Sequence, residues 1–266
     1  MCSRTENPPT VKKHLTLANF KKLLQQIKRV KAIQPKIIVG HNLGEPLLTP
    51  KYINMLEHFD NTFKNKTYIF NTNGSPLQRK FTQRFLQLKN NKYQINFSID
   101  AATKKAYQRL HGHTYIKVKQ NIIAFLQEFI KSKNKNIRVG LNFIVTPANY
   151  PEQKKFITQW KPYLKQNKNI KIRFNPLAWN QLLKNKYDYD IWTRAHPDAT
   201  IFKFDKRRQK KCHHPWKMLS VRANGDISIC CYSPTPHLNI GNFLNRPLMQ
   251  LLKGQAIVKI KKAFKK

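Results

Sequence analysis

TYIFNTNGSPLQRKFTQRFLQLKNNKYQINFSI, residues 67–99, decides the fold. Two runs rich in β-branched and aromatic residues, Thr67–Asn71 and Gln94–Ile99, read as strands. Between them, 77–89 carries apolar residues at helical spacing. A strand, a helix and a strand on links this short form a crossover unit, which implies parallel strands with the helix outside. The alternation continues in both directions. Upstream, 16–31 (TLANFKKLLQQIKRVK) puts Leu17, Phe20, Leu23, Leu24, Ile27 and Val30 on one helical face. Lys36–Gly40 (KIIVG) reads as a strand buried on both sides, and 50–60 (PKYINMLEHFD) as a helix with Pro50 at its start. Downstream come helices at 102–110 and 115–132, a strand at Asn136–Val145, a helix at 151–165 and a strand at Asn169–Phe174. About five strands with intervening helices predict an α/β fold, an open or partial barrel, because eight strands need more chain.

The chain has 266 residues, 40% hydrophobic and 11% aromatic, enough to build a core. No apolar run approaches the roughly 20 residues that cross a bilayer, and the opening MCSRTENPPT lacks a signal peptide's apolar stretch. The expected setting is cytoplasmic, with no membrane partner. The formal charge is +39, from 51 Lys+Arg against 12 Asp+Glu. A polyanion such as nucleic acid is one explanation. Compositional bias is the other: Asn, Gln and Ile are abundant beside Lys, and Gly numbers 8. The lysines are spread along the whole chain and not gathered on one arm, which favours bias.

Polar and glycine residues recur just after the strands: Asn42, Gly44 and Glu45; Asn73 and Gly74; Ser98 and Asp100; Thr146 and Asn149. The carboxyl ends of parallel strands line the ligand site in such folds, although each residue alone is also an ordinary turn former. The segment 176–211 has no clean period, and its FDKRRQKK (204–211) is a charge run suited to a solvated linker. Beyond it, MLSVR and DISICC flank Ala223-Asn224-Gly225-Asp226, a strong hairpin signal. Cys212 enters the hairpin, and Cys230 and Cys231 leave it, so the three can meet at one end. With Cys2 these are the four cysteines, a pattern that suits metal binding or reduced buried thiols better than disulfides. Zinc held with His213, His214 or His237 is conceivable, but their spacing fits no finger pattern.

Four stretches together resemble the radical S-adenosylmethionine (SAM) enzymes that carry a C-terminal SPASM-type or twitch-type cysteine module. They are NLGEPLLTPKYINML (42–56), FNTNGSPL (70–77), INFSIDAATKKAYQRLHG (95–112) and CHHPWKMLSVRANGDISICC…LNIGNF (212–243). The GEP, TNG and SIDxAT segments stand in the family's order, and Cys212-x12-Gly225-x4-Cys230 fits the opening half of the SPASM pattern. The resemblance implies a partial (β/α)6 TIM-like barrel lacking its first strand, followed by a small C-terminal β-hairpin cysteine module. The expected division is a barrel over 1–180, a linker over 181–210 and an incomplete module over 211–266.

The family's defining C-x3-C-x2-C motif holds a [4Fe–4S] cluster that reductively cleaves SAM, giving a 5′-deoxyadenosyl radical that abstracts hydrogen from substrate. Cys2 stands where the third cysteine belongs, and the first two are not in this sequence. A reading frame started at an internal Met is the expectation; a cluster-free, degenerate protein is the alternative. The resemblance places Gly44, Glu45 and Pro46 against SAM's methionine amine, with Asn73, Ser98 and Asp100 near SAM from the neighbouring strand ends. Asp100 also reads as a helix N-cap, Arg109 as a SAM carboxylate contact or a surface residue, and Trp216 as core packing. Cys2, Cys212, Cys230 and Cys231 are the candidate metal ligands, the last three for an auxiliary iron–sulfur cluster. The implied activity is hydrogen abstraction from a peptide, protein or small molecule, with a flavodoxin or ferredoxin as electron donor. The competing reading is a non-catalytic scaffold that binds a polyanion.

Overall fold

The computed structural model describes residues 13–30, 34–41, 44–111, 115–146, 149–176, 214–230 and 238–264. The expectations for Asn42, His213, His237 and the linker lie outside the described residues.

Apolar residues at a period of two make one face of each strand, and that face decides how the sheet is covered. Strands β1 (Ile37–Val39), β2 (Thr67–Thr72), β3 (Lys92–Ser98), β4 (Ile137–Val145) and β5 (Ile170–Pro176) pair in parallel, in sequence order. Sequential order is that of a barrel wall; a doubly wound sheet would reverse direction at a switch point. Tyr68 and Phe70, Tyr93 and Phe97, and Phe143 turn to the helices. They meet Phe59 of α2 (Tyr52–Thr62), Phe85 of α3 (Arg79–Phe85), Phe125 of α5 (Tyr115–Ser132) and Phe156 of α6 (Gln153–Gln166). These aromatics form one continuous core. A short helix, α4 (Lys104–His111), precedes α5.

Below this core a polar knot closes the amino ends of the strands. Asp60 accepts from the Lys89 and Asn90 backbone N–H groups, from Asn91 Nδ2 at 3.1 Å and from the Tyr93 hydroxyl at 2.8 Å. Burial, then the adjacent Asp60 charge, push the Tyr93 hydroxyl's pKa up, so it stays a donor.

The opposite, inner face is polar: Asn71 on β2, Gln94 and Asn96 on β3, Asn142 on β4 and Arg173 on β5. This alternation was hidden in β1, read as a strand buried on both sides. The structure corrects that: Ile37 is 57% and Val39 53% exposed, since β1 is an outer strand whose inner face nothing described covers.

The helix α1 (Leu17–Arg29), capped by the Thr16 hydroxyl on Asn19 N–H, joins the two parts of the molecule. Phe20 and Leu24 enter the barrel core, whereas Leu23 belongs to a second core with Ile227, Ile229, Ile240 and Phe243. Gln26 extends the joint, donating to Phe243 O at 3.2 Å and accepting from Leu248 N–H at 2.7 Å. The expected C-terminal hairpin is present as β6 (Ser220–Val221) and β7 (Asp226–Ser228), antiparallel around Gly225. It extends to a third antiparallel strand, β8 (Asn239–Asn242), followed by helices α8 (Leu248–Lys253) and α9 (Gln255–Ala263). Trp216, on the turn of helix α7 (His214–Lys217), is 41% exposed and not the core residue expected. Its one-turn helix holds it at the module's surface.

Candidate functional site

The polar residues after the strands do come together, mainly by tying neighbouring strand ends to one another. Gly44 has φ 111°, a conformation that a side chain would strain. Glu45 then caps the 3-10 turn Pro46–Leu48: its Oε1 accepts from Leu47 N–H at 3.0 Å and from the Thr72 hydroxyl at 2.7 Å. Its Oε2 accepts from Asn73 N–H at 2.8 Å. One carboxylate thus satisfies three donors from two loops, and Pro46 is buried beneath it. The Asn73 side-chain oxygen is engaged locally, accepting from Ser75 N–H at 2.8 Å. With these side chains engaged, backbone groups are what the Gly44–Pro46 loop offers a ligand.

A second tie joins β3 to β4. Asp100 is buried, with φ 58°, and its Oδ1 accepts from Ile144 N–H at 2.6 Å. Its Oδ2 lies 2.9 Å from His111 Nε2. Asn149 completes the tie, donating through Nδ2 to Asp100 O and Ile144 O and accepting at Oδ1 from Thr146 N–H. Asp100 is therefore no helix N-cap. Thr103 takes that place, accepting from Ala106 N–H, while Glu152 accepts from the Ala102 and Thr103 backbone N–H groups and from the Thr103 hydroxyl. The reason is positional: Asp100 still belongs to the strand end, four residues before α4 begins. Arg109 is exposed on α4.

Ser98 closes β3 on the inner face, in register with Asn142. One step below it lies a row that sequence reasoning missed. Asn96 donates to Asn71 Oδ1 at 2.8 Å, and its Oδ1 accepts from Gln94 Nε2 at 3.0 Å and Arg173 Nη1 at 3.2 Å. Arg173 reaches across β4 because Gly140, level with Asn96, has no side chain: a Cβ there would sit 2.3 Å from Asn96 Oδ1. On β1's side, His41 Nδ1 accepts from Asn71 N–H at 3.2 Å. Burial lowers the His41 pKa, opposed by a hydrogen bond with the Ile69 backbone. The available signal was the alternation of Gln94, Asn96 and Ser98 along one face of β3.

Of the four cysteines, Cys230 is described: a free, half-buried thiol two residues past β7, its N–H donating to Ser228 Oγ. Cys2, Cys212 and Cys231 lie outside the described residues. Among the described residues no group of three His, Cys, Asp or Glu is placed to hold a metal ion. A free thiol at the hairpin end suits a soft thiolate site, as an iron–sulfur cluster requires. Among the described residues no helix is long and apolar enough to cross a membrane.

Residues 212–266 match the family model of SPASM, an iron–sulfur cluster-binding domain. No curated protein matches the chain. Solved structures share its fold at low identity. SuiB of Streptococcus suis, bound to its precursor peptide SuiA, superposes with a TM-score of 0.60 at 13% identity, covering 91% of this chain and 58% of SuiB. BtrN, in complex with AdoMet and 2-DOIA, gives 0.56 at 13% identity over 99% of this chain and 79% of BtrN. Native anSMEcpe with bound AdoMet gives 0.54 at 13% identity over 94% and 75%. The chain thus spans less than two thirds of SuiB's length. Residues 212–266 thus match the SPASM model, and the α/β body before them shares the fold of SuiB, BtrN and anSMEcpe.

Proposed function

We propose that this protein is a radical SAM enzyme that acts on a peptide. The observation that carries the proposal is the pair of ties at the carboxyl ends of adjacent strands, Glu45 with Thr72 and Asn73, and Asp100 with Ile144 and Asn149. They leave a rim of fixed backbone groups above a polar inner face, an arrangement suited to the amine, carboxylate and ribose of SAM. Gly44 brings the loop's backbone close, and Ser98 stands at the end of β3. When bound, a [4Fe–4S] cluster supplies the electron that breaks SAM's sulfonium C–S bond. Three thiolates hold such a cluster; Cys2 is this chain's contribution, and the proposal requires two more. Cys212, Cys230 and Cys231 are the donors for an auxiliary cluster in the SPASM module. A flavodoxin or ferredoxin is the proposed electron donor.

The peptide substrate is supported by the shared fold of SuiB, solved with its precursor peptide, and of anSMEcpe, solved with a Cp18Cys peptide. The test is anaerobic reconstitution, with iron and sulfide, of the protein together with whatever its reading frame encodes ahead of Met1. Visible charge-transfer absorption and reductant-dependent 5′-deoxyadenosine are expected. Neither appearing, with all three thiolates present, overturns the reading.

A further inference from the structure

The inner face of the barrel carries a guanidinium most of whose donors have no partner among the described residues. Arg173 is half-buried, and its one hydrogen bond among the described residues is from Nη1 to Asn96 Oδ1 at 3.2 Å. Among the described residues no carboxylate lies within ion-pair distance of it. A guanidinium has five N–H donors in a planar fork that matches a carboxylate, so most of its capacity is open.

Its position is built and not incidental. Asn96 is buried and held by Asn71 and Gln94 as well as by Arg173, which fixes the oxygen on which the guanidinium rests. Gly140 keeps the path across β4 clear. On β4, in register with Arg173, Asn142 has its Oδ1 buried without a hydrogen-bond partner among the described residues. The remaining donors of the fork are complementary to a carboxylate.

We propose that Arg173 receives a carboxylate of the substrate peptide, so that the peptide is acidic at the residue seated on the inner face. This rests on the peptide-modifying reading above and narrows it to a substrate class. Two sources offer the same chemistry: an Asp or Glu side chain and a free C-terminus.

The test is equilibrium binding without SAM, so its failure leaves SAM cleavage untouched, just as failure of SAM cleavage leaves this measurement intact. Three N-acetylated fluorescent pentapeptides are compared at about 0.15 M salt, where long-range charge effects are screened. They are Gly-Gly-Glu-Gly-Gly amide, Gly-Gly-Gln-Gly-Gly amide and Gly-Gly-Gln-Gly-Gly with a free carboxyl end. At least one carboxylate peptide is expected to bind about tenfold more tightly than the neutral one, and which one identifies the source. Arg173→Met removes the preference. Lys165→Met, an exposed lysine on the outer helix α6, keeps it. Three peptides indistinguishable on the wild-type protein overturn the proposal. So does a preference that survives Arg173→Met or falls equally with Lys165→Met, which would make it diffuse charge. Should Arg173→Met fail to fold by circular dichroism, Arg173→Lys decides: the charge stays, the fork is lost, and an unchanged preference overturns the proposal.

Discussion

At the scale of single residues, the side chains after the strands divide into those that hold the rim and those that face what enters it. Glu45 is one of the holders. Glu45→Ala leaves the Leu47 and Asn73 amides and the Thr72 hydroxyl without their acceptor. Each half-buried loss is worth about 1 kcal/mol, so the expected cost is about 2–4 kcal/mol in urea unfolding, with Glu45→Gln recovering part of it. His41 gives the rim a pH dependence. Its pKa is lowered in the folded protein by burial, so the unfolded chain binds the proton more readily. Stability is therefore full above about pH 6.5 and is lost as pH falls from there through the lowered folded-state value. His58, whose pKa is lowered by burial and by Lys21, acts in the same direction. Melting curves from pH 7.5 to 5 should show the fall, and His41→Gln should flatten it; an unchanged slope would remove His41 from this role.

At the scale of elements, the sheet and its helices were readable because each buries a regular apolar face. The reading weakened wherever the partner that decides burial is remote in sequence. β1 has the same apolar composition as a central strand, and only its place at the sheet's edge leaves Ile37 and Val39 open. β8, read as a motif and not as a strand, has one apolar residue in Asn-Ile-Gly-Asn; its pairing with β7 comes from register and from Asn242 donating to Asp226 Oδ1 at 3.0 Å. The inner-face row joins Asn71, Asn96 and Arg173 over about a hundred residues, a distance no local pattern spans. The rim residues were legible as a set, but Asp100 looked like a cap because its use by Ile144 appears only when β3 and β4 lie side by side. Helix α1 shows the same limit: Leu17, Phe20, Leu23, Leu24, Ile27 and Val30 read as one face, yet of its buried Phe20, Leu23 and Leu24, Leu23 alone belongs to the module's core. Leu23→Ala should cost about 2–5 kcal/mol. It should also raise hydrogen exchange in β7 and β8 more than in β3 and β4. Equal loosening of both sheets would mean that α1 does not couple them.

At the scale of the molecule, the charge decides between a catalytic body and a polyanion scaffold only through its distribution. Lys and Arg number 51 against 12 Asp and Glu, so most basic residues have no acidic partner to take; among the described residues Arg79 pairs with Glu128 and Arg84 with Glu57. The bidentate Arg84–Glu57 pair ties α3 to α2, but exposed pairs of this kind contribute little, about 0–1 kcal/mol. What remains is a field of like charges spread over helices and loops, which repel one another in the compact state. Salt screens that repulsion within a Debye length of about 10 Å at 0.1 M. The folded protein should therefore become more stable as sodium chloride rises from about 20 to 500 mM, the reverse of a protein held by surface ion pairs. The same spread predicts that duplex DNA binds weakly, with affinity falling steeply with salt and no preference for sequence. Arg173→Met should leave that binding unchanged, because one recessed guanidinium adds little to a diffuse field. If DNA binding instead depends on Arg173 and persists at physiological salt, the inner face is a nucleic-acid groove, and the polyanion reading replaces the enzymatic one.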